Sequence, residues 1–319
     1  MASIFTPTNF GDALGPYRID LTDCMGDSVS VINANTNYLA SFTAAVSSQL
    51  RSRIDSAQGF KNRLINTQGL INQRGYVSGT ATTAANQYTL DRWRVVTSGQ
   101  NLTFTTAQNV TTFTAPAGGI EQVIEGLNLE SGTYVLNWNG SATAAVGGTV
   151  RAKGETFSLT GGSNVAVRFV GTFSLPQLEK SDTPTSFEYR PFGTELALCQ
   201  RYFCKSFPLN VRPAANTIPG CLLVHEPISK GEGTIHAAQG QFPVSMRTTP
   251  VITFYNPNAN TAINTVYLSN TTGNLGTVYL YIASPDRLSY FQVSSSFGGA
   301  DPVANIRACH WHFTANAEF

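Results

Sequence analysis

The sequence predicts a mainly β protein with five parts in order: an extended leader, a helical stem, an antiparallel jelly-roll-like β-sandwich, a short connector helix and a C-terminal β tip domain. Three observations predict it. After Gly59 the chain is a succession of short β-type runs separated by Gly and Asn turns, at the spacing of a sandwich. No strand–helix alternation appears, which argues against a parallel α/β fold. Long-range helical periodicity is confined to one segment, about residues 29–58.

Composition narrows the function classes. The chain has 319 residues with 20 Lys+Arg, 19 Asp+Glu and a formal net charge of +1. Charged residues make up 12%, about half of the roughly 25% usual in a soluble domain. Thr, Ser and Asn together supply 87 of the 319 residues, so uncharged polar side chains stand where charges usually do. A near-neutral balance argues against an electrostatic nucleic-acid binder, which would carry a basic patch or stripe. At 42% hydrophobic the chain can bury real cores, and its length implies two or three domains. Met1 to Phe10 reads MASIFTPTNF, with neither a basic n-region nor an apolar h-region, so no targeting segment is expected. No apolar run approaches the roughly 18 residues of a membrane span, so no membrane insertion is expected. The five scattered cysteines, an odd number, are expected to be reduced thiols.

Residues 1 to about 28 hold Pro7, Gly11, Gly15, Pro16 and Gly26, with apolar anchors such as Ile4, Phe10 and Tyr17. They read as a turn-rich leader able to lie along another protein. From about 29 to 58, Ile32, Leu39, Phe42, Val46, Leu50 and Ile54 form one narrow stripe on a helix whose other faces are polar. Such a stripe needs a cover, from its own chain or from copies of itself, and the leader offers little surface for it. Its steps average slightly over 3.6 residues, which fits a straight bundle.

Expected strands then run over Tyr88–Val96, Asn101–Thr106, Val110–Phe113, Gln122–Ile124, Tyr134–Trp138, Phe157–Leu159 and Val165–Phe173. The amphipathic run Glu195–Lys205 predicts the connector helix, with Leu196, Cys199 and Phe203 on one face. In the last region a hairpin is expected from Ile263–Ser269 and Thr277–Ala283, and a final strand from Ile306 to Phe313. The resulting domains are 1–58 (leader and stem), 59–193 (sandwich), 194–206 (connector) and 207–319 (tip).

Several runs have a recognisable wording: Arg63-Leu64-Ile65-Asn66, Gln73-Arg74-Gly75, Tyr88-Thr89-Leu90-Asp91-Arg92-Trp93 and Gln122-Val123-Ile124-Glu125-Gly126. Others are Leu175-Pro176-Gln177-Leu178-Glu179, Phe187-Glu188-Tyr189-Arg190-Pro191-Phe192-Gly193, and Glu195-Leu196-Ala197-Leu198-Cys199-Gln200-Arg201-Tyr202. Together with Pro243–Pro250 and Phe313–Glu318 they resemble tail-fibre proteins of tailed bacteriophages over about residues 60–319. The resemblance implies a homotrimeric virion fibre with a carbohydrate-binding-like sandwich and a distal β tip. It implies partners of three kinds: sister chains, other virion proteins reached through the N-terminal region, and host-surface glycans. A surface rich in Thr, Asn and Ser suits such work, because hydrogen bonding and aromatic stacking are little affected by salt.

Each candidate motif has a competing structural reading. In a strand, Arg92 and Trp93 would face opposite sides, giving a core Trp and a rim ion pair rather than a site. Glu121, Glu125 and Glu130, or Glu179, Asp182 and Glu188, would serve a glycosidase only if two of them converged. They are sparse, and no Gly-x-Ser-x-Gly, P-loop or dinucleotide motif is present, so no enzyme and no cofactor is expected. Cys199 and Cys204 read as packing cysteines. His310 and His312 would share a strand face; in a trimer they would supply six imidazoles to a metal, against the plainer reading of two ordinary histidines, and no metal is assigned. Tyr267, Tyr279 and Tyr281 are the candidate glycan-binding residues, alternating with the apolar set of the expected hairpin; the competing reading is packing at a subunit interface. The expected function is host-surface recognition by a virion fibre. The alternatives are a purely structural virion protein, a depolymerase tailspike and a secreted lectin.

Overall fold

The computed structural model describes residues 33–47, 60–228, 234–258, 267–268, 277–281, 290–296 and 305–319. The chain divides into two compact units, Met1–Gly59 and Phe60–Phe319. None of the helices among the described residues is long and apolar enough to cross a membrane.

In the first unit, helix α1 spans residues 33–47. It contains no Gly or Pro, and its hydroxyl side chains are turned back onto the helix: Ser41 Oγ donates to Tyr38 O at 2.8 Å and Thr43 Oγ1 to Leu39 O at 2.7 Å. Its stripe positions are exposed. Leu39, Phe42 and Val46 are 63%, 41% and 45% exposed. The leader (1–28) and the stripe positions Ile32, Leu50 and Ile54 lie outside the described residues.

Among its described residues the second unit is mainly β, and its strands pair antiparallel. Its first sheet has nine strands: β1 (Gln87–Tyr88), β2 (Arg94–Val95), β3 (Thr103–Ala107), β4 (Val110–Ile124), β5 (Gly132–Gly140), β6 (Thr143–Val146), β7 (Thr149–Arg151), β8 (Thr156–Leu159) and β9 (Val165–Glu179). The main path is β1-β2-β4-β9-β5-β8; β3 adds to β4, and β6 to both β7 and β9. Strand β9 is the spine, with β4 along one edge and β6 then β5 along the other.

Two expected strands, Val110–Phe113 and Gln122–Ile124, are one fifteen-residue strand. The Ala-Pro-Ala-Gly-Gly stretch between them reads as a break because Pro116 cannot donate to a ladder. Here it forms a bulge: the register with β9 jumps between Ala115↔Gly171 and Ile120↔Phe169. Gly119 sits at φ +84° inside it, and a Cβ there would lie 2.8 Å from Arg168 Cγ, so this position requires glycine. The expected strand Tyr88–Val96 is instead a small hairpin, Gln87↔Val95 and Tyr88↔Arg94, turning at Asp91-Arg92 with Arg92 at φ +72°. The β6–β7 hairpin was not expected, although its Gly147-Gly148 turn is a hairpin signal. The poor β-formers Ala144 and Ala145 mask it.

The core of this sheet is aromatic. Phe169 and Phe173 stack at 4.3 Å, Phe113 stacks on Phe173 at 5.0 Å, Trp93 lies 5.7–6.1 Å from all three, and Trp138 meets Phe169 edge-on at 5.6 Å. All but Trp138 are fully buried.

Helix α2 (Phe192–Gln200) is shorter than the expected Glu195–Lys205 helix. After a turn the chain enters β10 (Phe203–Lys205), because Phe203, Cys204 and Lys205 find backbone partners in Asn316, Ala315 and Thr314. The last region holds β11 (Leu222–Ile228), β12 (Thr234–Gln241), β13 (Val251–Tyr255), β14 (Tyr267–Leu268), β15 (Thr277–Tyr281), β16 (Tyr290–Ser296) and β17 (Asn305–Asn316). Strand β17 organises a five-stranded sheet by pairing with β10, β11, β13 and β14. Strands β12, β16 and β15 form a separate three-stranded sheet. The expected hairpin therefore does not form among the described residues: Tyr267-Leu268 pair with β17, and Thr277–Tyr281 pair with β16.

Candidate functional site

The runs singled out in the sequence converge on one buried junction between the first sheet, α2 and the end of β17. The Asp91-Arg92 turn is closed by Trp93 N–H donating to Leu90 O at 2.9 Å. Asn66 braces it from behind: its Nδ2 donates to Asp91 O at 2.9 Å and to Ile71 O at 2.8 Å, and its own carbonyl accepts Trp93 Nε1–H at 3.0 Å. Arg92 is 1% exposed; it pairs with Glu318, donates to Val123 O at 2.5 Å, and lies 3.5 Å over the Tyr202 ring. Arg74 bridges Asp91 (3.0 Å) and Glu318 (3.4 Å) and lies 3.9 Å over Phe203. Gln73 Nε2 donates at 2.7 Å both to Asp91 Oδ2 and to Phe203 O.

Two further clamps flank this centre. Glu125 accepts from Arg201 Nη2 at 2.9 Å and from Tyr202 OH at 3.0 Å. Glu195 accepts the Asn66 N–H and pairs with Arg190 at 3.3 Å. Burial pushes the Asp91 carboxyl up despite Arg74 and Gln73, and pushes the Tyr202 hydroxyl up to about 12. These groups are closed on one another, so the junction locks strands together.

The strand geometry expected for Arg92 and Trp93 is corrected by the turn, but the chemical outcome is the expected one: Trp93 is core and Arg92 is in an ion pair. Sequence reasoning missed the partner, Glu318, which is 226 residues away along the chain. The signal was available: a chain this poor in charge cannot bury an arginine without a carboxylate.

The other carboxylates are also occupied. Glu121 meets Arg94 (2.5 Å) and Arg168 (3.0 Å), and Glu130 meets Arg63 (2.9 Å). Glu179 accepts from Gln177 and Thr185, and Glu188 from Asn62 N–H at 2.7 Å. Asp182 is exposed on a bend.

His312 is tied into the fold, in keeping with the plainer reading of an ordinary histidine. It is fully buried, stacks 3.9 Å from Phe207, and uses both ring nitrogens. Nε2 lies 2.9 Å from Thr217 O, which can only accept, so Nε2 carries the proton; Nδ1 then accepts from Ser206 Oγ at 3.0 Å. A ring so engaged has no lone pair left for a metal. His310 is partly exposed, with Nδ1 3.5 Å from Cys221 Sγ. Among the described residues, no group of three or more His, Cys, Asp or Glu could hold a metal ion. Cys199 and Cys204 are both buried, on α2 and β10, and burial raises both thiols, Cys204 to about 12.

The tyrosines are placed by backbone only; their side chains lie outside the described residues. Tyr279 and Tyr281 share β15, opposite Ser294 and Gln292 of β16, whereas Tyr267 lies opposite His310 of β17. The structure thus brings two of the three onto one strand and puts the third in another sheet. No family model, curated protein or solved structure matches the chain.

Two outcomes are expected. Glu318→Gln leaves Arg92 buried without its counter-charge and should lower unfolding stability by about 3–5 kcal/mol. Adding Arg92→Met should restore part of that loss in a urea double-mutant cycle, and strict additivity of the two would show that the pair is not coupled. His312 is held neutral by burial, below its usual 6.5. The unfolded chain therefore binds the proton more readily, and stability is lost as pH falls through 6.5 toward the folded value. Between pH 8 and pH 5 the wild type should lose more stability than His312→Gln, measured by urea midpoints; equal losses would contradict it.

Proposed function

We propose that the chain is a non-enzymatic, homotrimeric fibre of a bacteriophage virion that recognises host-surface glycans. The observation that carries this reading is the helix of residues 33–47, whose Leu39, Phe42 and Val46 stripe is exposed. A polar helix with one narrow apolar seam gains most by pairing that seam with sister copies. In this reading residues 1–58 attach to the particle and start the trimer. Residues 59–193 form a jelly-roll-like, carbohydrate-binding-like module, 194–206 connect, and 207–319 form the distal tip. The antiparallel β architecture and the low charge support the reading, and the carboxylates tied into structural pairs accord with a protein that carries out no hydrolysis. A purely structural fibre is the second reading, favoured by the burial of Asp91, Arg92 and Trp93 in a structural junction.

The full chain, 34.2 kDa as a monomer, should sediment as a trimer, and Leu39→Asp with Val46→Asp should shift it toward monomer while the β unit keeps its far-ultraviolet spectrum. A wild-type monomer would overturn the fibre reading.

Tyr279→Ala with Tyr281→Ala should weaken adsorption of the trimer to host cells without lowering its melting temperature. Unchanged adsorption with an earlier melt would make those rings packing residues.

A further inference from the structure

Most described arginines are paired inside the fold, which draws attention to Arg212. Among the described residues, Arg63, Arg74, Arg92, Arg94, Arg151, Arg168, Arg190 and Arg201 each meet a carboxylate. Arg247 is held instead by Ala317 O at 2.7 Å and Glu318 O at 2.9 Å. Arg212 meets neither a carboxylate nor a backbone carbonyl among the described residues, and it lines a cleft of about 430 Å³ with Leu70, Asn72, Gly75, Leu209 and Asn210. That volume is within the roughly 300–1,000 Å³ of small-molecule sites.

Both walls are fixed before any ligand arrives. On one side, Asn72 closes the 72–76 turn with its own side chain: Nδ2 donates to Tyr76 O and Oδ1 accepts Tyr76 N–H, each at 2.9 Å. Gly75 lies in that turn at φ +65°, and a Cβ there would fall 2.5 Å from Arg212 Cβ, so glycine is what lets the two walls meet at the cleft floor. On the other side, Lys205 Nζ donates to Leu209 O at 3.1 Å and Val211 O at 2.5 Å, pinning the 208–212 turn, which Val211 N–H closes onto Pro208 O at 2.9 Å. Lys205 is itself buried. Two leucines supply apolar wall, Asn210 an exposed amide, and Arg212 a planar guanidinium on an exposed residue.

We propose that this cleft binds an acidic saccharide, with Arg212 forking onto the sugar's carboxylate or phosphate. A guanidinium offers two parallel N–H donors matched to either group, and because Arg212 meets no carboxylate among the described residues, its counter-charge is left to the ligand. The anion is read from the cleft; that its carrier is a saccharide rests on the glycan-recognition reading above. The site lies on loops braced by the same unit as the buried junction and is separate from Tyr267, Tyr279 and Tyr281.

The test is direct binding of the full chain by calorimetry. The probes are a galacturonate hexasaccharide, its carboxyl-reduced counterpart, and a phosphorylated lipopolysaccharide core oligosaccharide beside its dephosphorylated form. Binding of a charged probe at least ten-fold tighter than its uncharged counterpart is expected, and which probe binds identifies carboxylate or phosphate as the group read. Arg212→Gln should lose at least ten-fold in affinity at unchanged melting temperature, Arg212→Lys should retain part, and Asn210→Ala should weaken binding as a second, independent change. Equal binding of charged and uncharged forms, no binding of any probe at millimolar concentration, or an affinity unmoved by Arg212→Gln would each overturn the proposal. A trimer that still adsorbs to host cells while the cleft binds nothing removes the cleft and leaves the fibre reading; a monomer that binds the acidic probe through Arg212 does the reverse.

Discussion

The second unit depends on the counter-charge that Glu318 brings to Arg92. A guanidinium at 1% exposure is tolerated only with a carboxylate and further acceptors around it, and Arg92 has Glu318, Val123 O and the face of Tyr202. Each of these comes from a different stretch of chain: the segment after β17, β4 and the turn after α2. Satisfying one arginine therefore joins the edge of the first sheet to the spine of the second. Arg74, bridging Asp91 and Glu318, makes the arrangement a network rather than a pair. A network in low dielectric punishes partial satisfaction, so the parts of the junction form together.

The same constraint explains why the motif residues are so closely packed together. Asn66, Gln73, Asp91, Glu125 and Glu195 are buried polar groups, and each is answered by a named backbone or side-chain partner. Recognition, on our reading, is left to other features. Candidates for it are the β15 strand with Tyr279 and Tyr281 and the Arg212 cleft.

Compared with its strands, the unit's bends are set by small features. The Pro116–Gly119 bulge allows β4 to stay paired with β9 over fifteen residues, and that continuity lets Phe113 reach Phe173 at one end while Ile120 opposes Phe169 at the other. The aromatic core follows from this geometry. Without the bulge, the register of one half of β4 would put its apolar set on the wrong face.

By itself, the sequence determined the β class, the helical stripe, most strand positions in the first sheet, and the structural character of Trp93 and Arg92. These follow from periodicity, turn residues and the scarcity of charge, all of which act over a few neighbouring residues. Only the tertiary structure decided what lies far apart in the chain and close in space. It joined Glu318 to Arg92, drew Phe203–Lys205 out of the expected helix to pair with β17, and sent the two halves of the expected hairpin to different sheets. It closed both nitrogens of His312 and left Arg212 without a partner among the described residues. The physical reason is the same in each case. Local propensity differences amount to about 1 kcal/mol per residue or less, and a backbone ladder or a buried counter-charge contributed by a distant segment outweighs them.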